Sequence, residues 1–390
     1  GLQLIKKYII LILMITSIFS ASNIEVQKIM DNMTLKEKIA QMIMVRVRSD
    51  YYSSDSYYKK EIENWITNQK VGGLITFDGN GNVHGMFNNH QYFQSISKIP
   101  LLIASDLERG AGQQMKGATL FPSNMAIAAT GDPYNAYLQG KITAEEAKEL
   151  GIHIIFAPVL DVNNNPNNPI INLRSYGDNS DVVSEFGLQF IKGIQDQGLY
   201  ACPKHFPGHG NTSIDSHSSL PIINSSLSEL NNIELKPFKN AVNNNVKMIM
   251  MAHIAVPALD PLIMPASHSY KITTDLLINN WNFKGLIITD GMEMGGITKE
   301  AWSGEAAIRA IEAGSDIILL PIDVEKTIES IYNAILSNRI SEDRINLSVS
   351  KILNSKFELN LFDYEFNFKN MTSIVGNKEH LIIADRIASS

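Results

Sequence analysis

At 390 residues, with 44% hydrophobic and 19% charged side chains, 25 Gly and 14 Pro, the chain has the make-up of an ordinary folded protein and is too long for a mini-domain. Thirty-three Lys and Arg against 40 Asp and Glu give a formal charge of −7, and no window clusters Lys and Arg as phosphate backbones require, which argues against a nucleic-acid partner. The single cysteine, Cys202, excludes an intramolecular disulfide framework and any cysteine-based zinc site.

In chain order, the first feature is a leader. Lys6 and Lys7 precede an apolar run from Tyr8 to Ile15, and Ser17, Ser20, Ala21 and Ser22 follow it. The run is shorter than the ~20 residues that span a bilayer, so residues 1–22 read as a signal peptide for export, with an uncleaved membrane anchor as the alternative. Thr34–Gln41 is the first helix of a domain over residues 23–362, with Thr34 as its cap and Glu37 three residues on, a capping box. Eight short runs rich in Ile, Val, Leu and Met then recur: Gln41–Val47, Gly72–Phe77, Leu101–Asp106, His153–Asp161, Leu199–His205, Val246–His253, Gly285–Asp290 and Asp316–Pro321. Continuous apolar runs of that length suit strands buried on both faces. Helical stretches lie between them at Tyr134–Glu149, Val182–Gln197, Ser228–Asn243, Thr274–Trp281, Gly304–Ala313 and Val324–Ser337.

Eight strand–helix units in series imply the α/β class and a (β/α)8 TIM-type barrel. An open, doubly wound sheet is the alternative, and it demands a glycine fingerprint after its first strand. Gly72–Gly73 precedes a strand instead. Asp78-Gly-Asn-Gly-Asn82 lacks the third glycine and an immediate helix, and reads as a turn. After Leu361 the pattern becomes polar and aromatic, so residues 363–376 read as a linker and 377–390 as the start of a truncated second domain.

A barrel carries its chemistry where the strands end. Runs three to seven end in Asp106, Asp161, Lys204-His205, His253 and Asp290. A charge that closes a buried strand costs desolvation energy unless it is paired or used, so this repetition in register argues for one shared site. The richest stretch is Lys204-His-Phe-Pro-Gly-His-Gly210, continuing through Asp215-Ser-His217. Spaced by two on a loop, Asp215 can accept the proton of one imidazole nitrogen of His217 while the other faces a substrate. Zinc ligation by His205, His209, His217 and Asp215 is the competing reading, as are histidines that only hydrogen-bond within the loop. The spacing matches no regular zinc pattern, so no metal or cofactor is expected. Asp290 supplies a carboxylate across the mouth, and a carboxylate with an imidazole of pKa ~6.5 is a pair able to act as nucleophile and proton carrier at neutral pH.

The stretch from Lys204 to His217, Ile171-Asn-Leu-Arg-Ser-Tyr-Gly177, Asp106-Leu-Glu-Arg-Gly110 and Asn282-Phe-Lys-Gly-Leu-Ile-Ile-Thr-Asp290 together resemble glycoside hydrolase family 3, in its β-N-acetylhexosaminidase branch, over roughly residues 30–362. The resemblance implies a barrel that removes terminal β-linked N-acetylglucosamine with retention of configuration, from peptidoglycan fragments or chitin oligosaccharides, without cofactor or obligate protein partner. It implies Asp290 as the nucleophile, His217 as acid/base, Asp215 as its orienting partner, and Asp106, Arg174, Lys204 and His205 as holders of sugar hydroxyls. Arg174 and Lys204 are also expected to keep Asp290 ionised. Phosphorolysis is an alternative, because a histidine does not repel an anionic acceptor as a carboxylate would. A β-glucosidase and a non-catalytic sugar-binding barrel are the others. Many family relatives carry further Arg after the third strand, whereas Gly110-Ala-Gly-Gln-Gln-Met-Lys116 offers only Lys116.

Overall fold

The computed structural model describes residues 23–77, 81–216, 219–294, 297 and 302–390. The leader over residues 1–22, positions 78–80 of the expected turn, and His217 lie outside the described residues.

Each of the eight apolar runs contains a strand: β1 Ile43–Val47, β2 Gly73–Thr76, β3 Leu102–Ser105, β4 Ile154–Ile155, β5 Tyr200–Ala201, β6 Met248–Met251, β7 Leu286–Thr289 and β8 Ile318–Leu319. Six pair in the order β5-β4-β3-β2-β1-β8, β6 pairs with β7, and every pairing is parallel. Bridges at Phe206–Met251 and Ile288–Ile317 join the two sheets, with Phe206 N donating to Met250 O at 2.9 Å and Thr289 N to Ile317 O at 3.1 Å. The ring closes, giving the (β/α)8 barrel.

β4 and β5 are much shorter than their apolar runs, because Pro158 and Pro203 have no N–H to give the ladder. Pairing resumes beyond the prolines at Val159–Lys204, where Leu160 N donates to Lys204 O at 2.9 Å. That resumed rung brings Asp161 alongside His205.

The outer helices are α1 Leu35–Gln41, α2 Tyr57–Asn64, α3 Val83–Ser95, α4 Asn124–Ala129, α5 Tyr134–Glu149, α6 Ser180–Gln195, α7 Leu227–Asn232, α8 Leu235–Asn243, α9 Lys271–Asn280, α10 Ser303–Ala313, α11 Val324–Leu336 and α12 Glu342–Glu358. The capping box at Thr34 and Glu37 is present in both directions. Two expectations fail. A helix does follow the 78–82 segment: Asn82 Oδ1 accepts from Gly85 N at 2.9 Å and caps α3, whose polar composition hides the spacing of its buried Val83, Met86, Phe87, His90 and Phe93. The helix expected over Ser228–Asn243 is two, α7 and α8, since Pro237 offers no N–H to the Ile233 carbonyl and the chain bends there. Among the described residues no helix is long and apolar enough to cross a membrane.

Residues 363–389 lie against the barrel. Helices α13 Phe368–Ile374 and α14 Lys378–Ser389 bury Met371, Ala384 and Ile387; Phe366 and Phe368 pack on Phe87 of α3, and Tyr364 Oη donates to Lys148 O at 2.6 Å. Thus the span expected as a linker is partly helical and docked.

One core residue is costly. Lys356 of α12 is fully buried, its Nζ donating to Gln41 Oε1 at 2.8 Å and Gly72 O at 3.0 Å, and burial pushes its amine down to about 7. Between that value and 10.5 the unfolded chain holds a proton that the folded chain lacks, so stability rises with pH across this window and the penalty is largest below it. Lys356→Met removes the penalty and orphans only Gln41 Oε1, since Gly72 O also accepts from Leu102 N. At pH 7 the variant is expected to be about 2 kcal/mol more stable, the difference fading toward pH 10. Denaturant titrations at both pH values check this; equal gains at the two would refute it.

Candidate active site

The polar strand ends converge at the C-terminal mouth of the barrel, around a cleft of about 660 Å³. Asp106, Glu108, Arg174, Lys204, His205, His209 and Asp290 all line it. One side is an ion-pair network. Lys204 Nζ lies 2.6 Å from Asp106 Oδ1 and 2.9 Å from Glu108 Oε1, and Arg174 meets Glu108 with two parallel bonds, Nη2 to Oε1 at 2.8 Å and Nε to Oε2 at 3.0 Å. Burial alone would raise the Glu108 carboxyl, but Lys204 and Arg174 hold it far below the carboxylate range. Burial likewise opposes the charge on Lys204, and Asp106 and Glu108 override it and raise the amine above its ordinary value. Such charge-assisted pairs fix their donors in space at the edge of the cleft.

A second buried carboxylate organises the histidine-rich loop. Asp161 Oδ2 lies 2.7 Å from His205 Nδ1, while Asp161 Oδ1 accepts from the main-chain N of His205 at 3.2 Å and of His209 at 2.6 Å. With Nδ1 so engaged, His205 has Nε2, its other nitrogen, left for the cleft that it lines. His209 is occupied at both nitrogens, Nδ1 with Thr212 Oγ1 at 2.9 Å and Nε2 with Ser216 Oγ at 2.8 Å, and burial lowers it to about 4. It is a neutral structural clamp that ends next to the His217 position. Gly210 is required in this loop, since a Cβ there would overlap Val162 O. Asp215 is half-buried, its carbonyl accepting from Ser219 N at 3.2 Å.

Asp290 follows β7 on the opposite side. Its Oδ1 accepts from Gly291 N at 2.8 Å. Burial pushes its carboxyl up, but the neighbouring His205 and His253 rings, the Gly291 N–H and the Lys204 ammonium together hold it below its ordinary value. The Arg174 guanidinium, expected to act beside Lys204 on Asp290, is itself paired with Glu108. His253 sits behind, Nδ1 at 2.8 Å from Ser267 Oγ and Nε2 at 3.1 Å from Gly291 O, buttressing the turn after Asp290.

Of the expected site residues, Asp106, Arg174, Lys204, His205 and Asp290 share the cleft, Asp215 stands on the adjoining loop, and His217 is outside the described residues. Sequence reasoning assigned no role to Glu108, although its spacing of two from Asp106 puts both carboxylates on one side of an extended chain. Asp161 was visible as a strand end, but its bonds to His205 and His209 were not. On the cleft's far wall, Arg46 of β1 pairs with Glu293 and stacks over the Phe77 ring at 4.3 Å.

With this geometry in view, comparison with known proteins is informative. The model of the glycosyl hydrolase family 3 N terminal domain matches residues 34–355. Beta-hexosaminidase A of Pseudoalteromonas piscicida is 34% identical over 352 residues, which are 82% of this chain and 58% of the relative, so the chain spans under two thirds of that protein's length. The solved structure of a glycoside hydrolase family 3 beta-N-acetylglucosaminidase from Paenibacillus sp. str. FPU-7 superposes with a TM-score of 0.85 at 35% identity, covering 91% of this chain and 68% of that one. Beta-glucoside phosphorylase BglX gives a TM-score of 0.85 at 25% identity, over 94% of this chain and 66% of its own. A match that runs from the capping box of α1 into the last turn of α12, over every strand that contributes to the cleft, places the chain in glycosyl hydrolase family 3.

Proposed function

We propose that this protein is a retaining β-N-acetylhexosaminidase that removes terminal, non-reducing β-linked N-acetylglucosamine from peptidoglycan fragments or chitin oligosaccharides, and that it acts after export. The observation that carries the reading is Asp290, a half-buried carboxylate held below its ordinary pKa in the cleft that Asp106, Lys204, His205 and Arg174 also line. With Oδ1 engaged by Gly291, Oδ2 attacks the anomeric carbon while protonated His217 gives its proton to the departing glycosidic oxygen. Neutral His217 then takes a proton from water, whose oxygen adds to the anomeric carbon and frees Asp290. Asp215 orients the imidazole and stabilises its cation. Asp106, Lys204 and His205 hold the ring hydroxyls, with Arg174 acting beside them and through Glu108.

Release of 4-nitrophenol from its β-N-acetylglucosaminide and its β-glucoside, measured side by side, tests the sugar. Preference for the first is expected. His217→Ala should lose about 10²–10⁴-fold in kcat. Faster cleavage of the glucoside would overturn the sugar assignment, and an unaffected His217→Ala the proton carrier. A phosphorolytic reading is favoured by the likeness to the beta-glucoside phosphorylase. Assay in high phosphate separates the two, since hydrolysis yields only free sugar and phosphorolysis a sugar 1-phosphate.

A further inference from the structure

We propose that Glu146 of α5 is a positioning residue that couples the docked C-terminal helices to the substrate cleft. Glu146 is a fully buried carboxylate outside the cleft, yet bonded to the loop that carries Glu108. Glu146 Oε2 accepts from Thr119 N at 2.9 Å, and Oε1 from Thr119 Oγ1 at 2.6 Å, Gly376 N at 2.9 Å and His380 Nδ1 at 2.8 Å. Two of those donors belong to the loop after β3 and two to the tail. His380 turns its other nitrogen to Glu145 Oε2 at 3.2 Å, so both ring nitrogens face carboxylates, an arrangement suited to the imidazolium.

Thr119 lies on the return limb of the loop over residues 107–121, whose outgoing limb carries Glu108 and Arg109. The limbs are zipped together: Gly112 N donates to Thr119 O at 2.8 Å, Phe121 N to Arg109 O at 2.9 Å, and Arg109 Nε to Phe121 O at 3.1 Å. The same face of α5 holds the outgoing limb as well. Gln139, seven residues or about 10 Å before Glu146 on the helix, donates from Nε2 to Glu108 O at 3.0 Å. Both are fully buried. Gln139 and Glu146 thus act as two fixed points for the loop on which the Lys204–Asp106–Glu108–Arg174 network stands, and the tail completes the second.

Gly376 shows how tight the junction is. It has φ of +64°, and a Cβ there would overlap Gly117 O on the loop. A side chain at 376 therefore pushes the tail off the loop without touching the cleft. What the loop binds rests on the hydrolase reading above; the coupling itself does not.

The test uses the full chain carrying Gly376→Val, His380→Gln or Glu146→Gln, with Leu381→Ala on the exposed face of α14 as control. Expected is a KM for the β-N-acetylglucosaminide raised about tenfold in the first three, kcat changed far less, and no shift in the control, since loosening the sugar-holding network removes binding common to ground and transition states. Hydrogen exchange of the peptide spanning 107–121 is expected to quicken in the same three variants with no substrate present. Unchanged KM and unchanged exchange, even with a lowered Tm, would overturn the coupling and leave Glu146 merely structural. If wild type cleaves neither sugar while exchange still quickens, the coupling stands and the hydrolase reading fails.

Discussion

Asp290→Asn is expected to lower kcat at least about 10⁴-fold while the protein folds as before, the scale seen when a covalent nucleophile is removed. The amide is isosteric and keeps an oxygen for the Gly291 N–H, so the fold around it has no reason to change. Because the carboxyl is held below its ordinary value, its charge is on balance favourable to the fold, and stability should hold or fall slightly even as turnover disappears. The separation of the two readouts is what makes the variant decisive. Parallel measurements of 4-nitrophenol release and thermal melting check it, and near-normal turnover from folded Asp290→Asn would end the nucleophile assignment.

Glu108→Ala has the largest expected effect on stability. The substitution leaves the Lys204 ammonium, almost wholly buried, and the Arg174 guanidinium with Asp106 as the remaining carboxylate of their network. Breaking a buried pair by removing one partner typically costs 3–5 kcal/mol, roughly a third or more of the stability of an average domain. Loss should exceed that of Glu108→Gln, which retains an acceptor for Arg174. On the proposed reading KM should rise in both, because Lys204 and Arg174 lose the carboxylate that positions them. Denaturant unfolding and steady-state kinetics test the pair of variants; a Glu108→Ala protein as stable as wild type would mean that the two cations do not depend on this carboxylate.

The barrel and much of its site were legible because burial is written locally. A strand covered on both faces must be a continuous apolar run, and the polar residue that ends it must face the mouth, so Asp106, Asp161, Lys204-His205, His253 and Asp290 announced themselves. Partnerships were not legible. Arg174 reaches back 66 residues to Glu108, and His205 reaches back 44 to Asp161. Such pairings follow from the order of strands around the ring and from where the ladder resumes past Pro158 and Pro203, neither of which a local pattern records. The division of α7 from α8 turned on one missing N–H at Pro237 that helical periodicity ignores. The docking of residues 363–389 depends on complementarity to Phe87, Glu145 and Glu146, residues far away in the chain.

The closure of the barrel has a mechanical consequence. The ring is a six-stranded sheet and a two-stranded sheet joined at two seams, one around Phe206 and Met251 and the other around Ile288 and Ile317. Lys204 and His205 border the first seam, and Asp290 follows the strand at the second. A sugar held as proposed would bridge the β6–β7 pair to its neighbours and work as a staple across both seams of the ring. Occupancy of the cleft and integrity of the barrel are then one cooperative property, with local opening and loss of the reacting geometry arising from the same fluctuation.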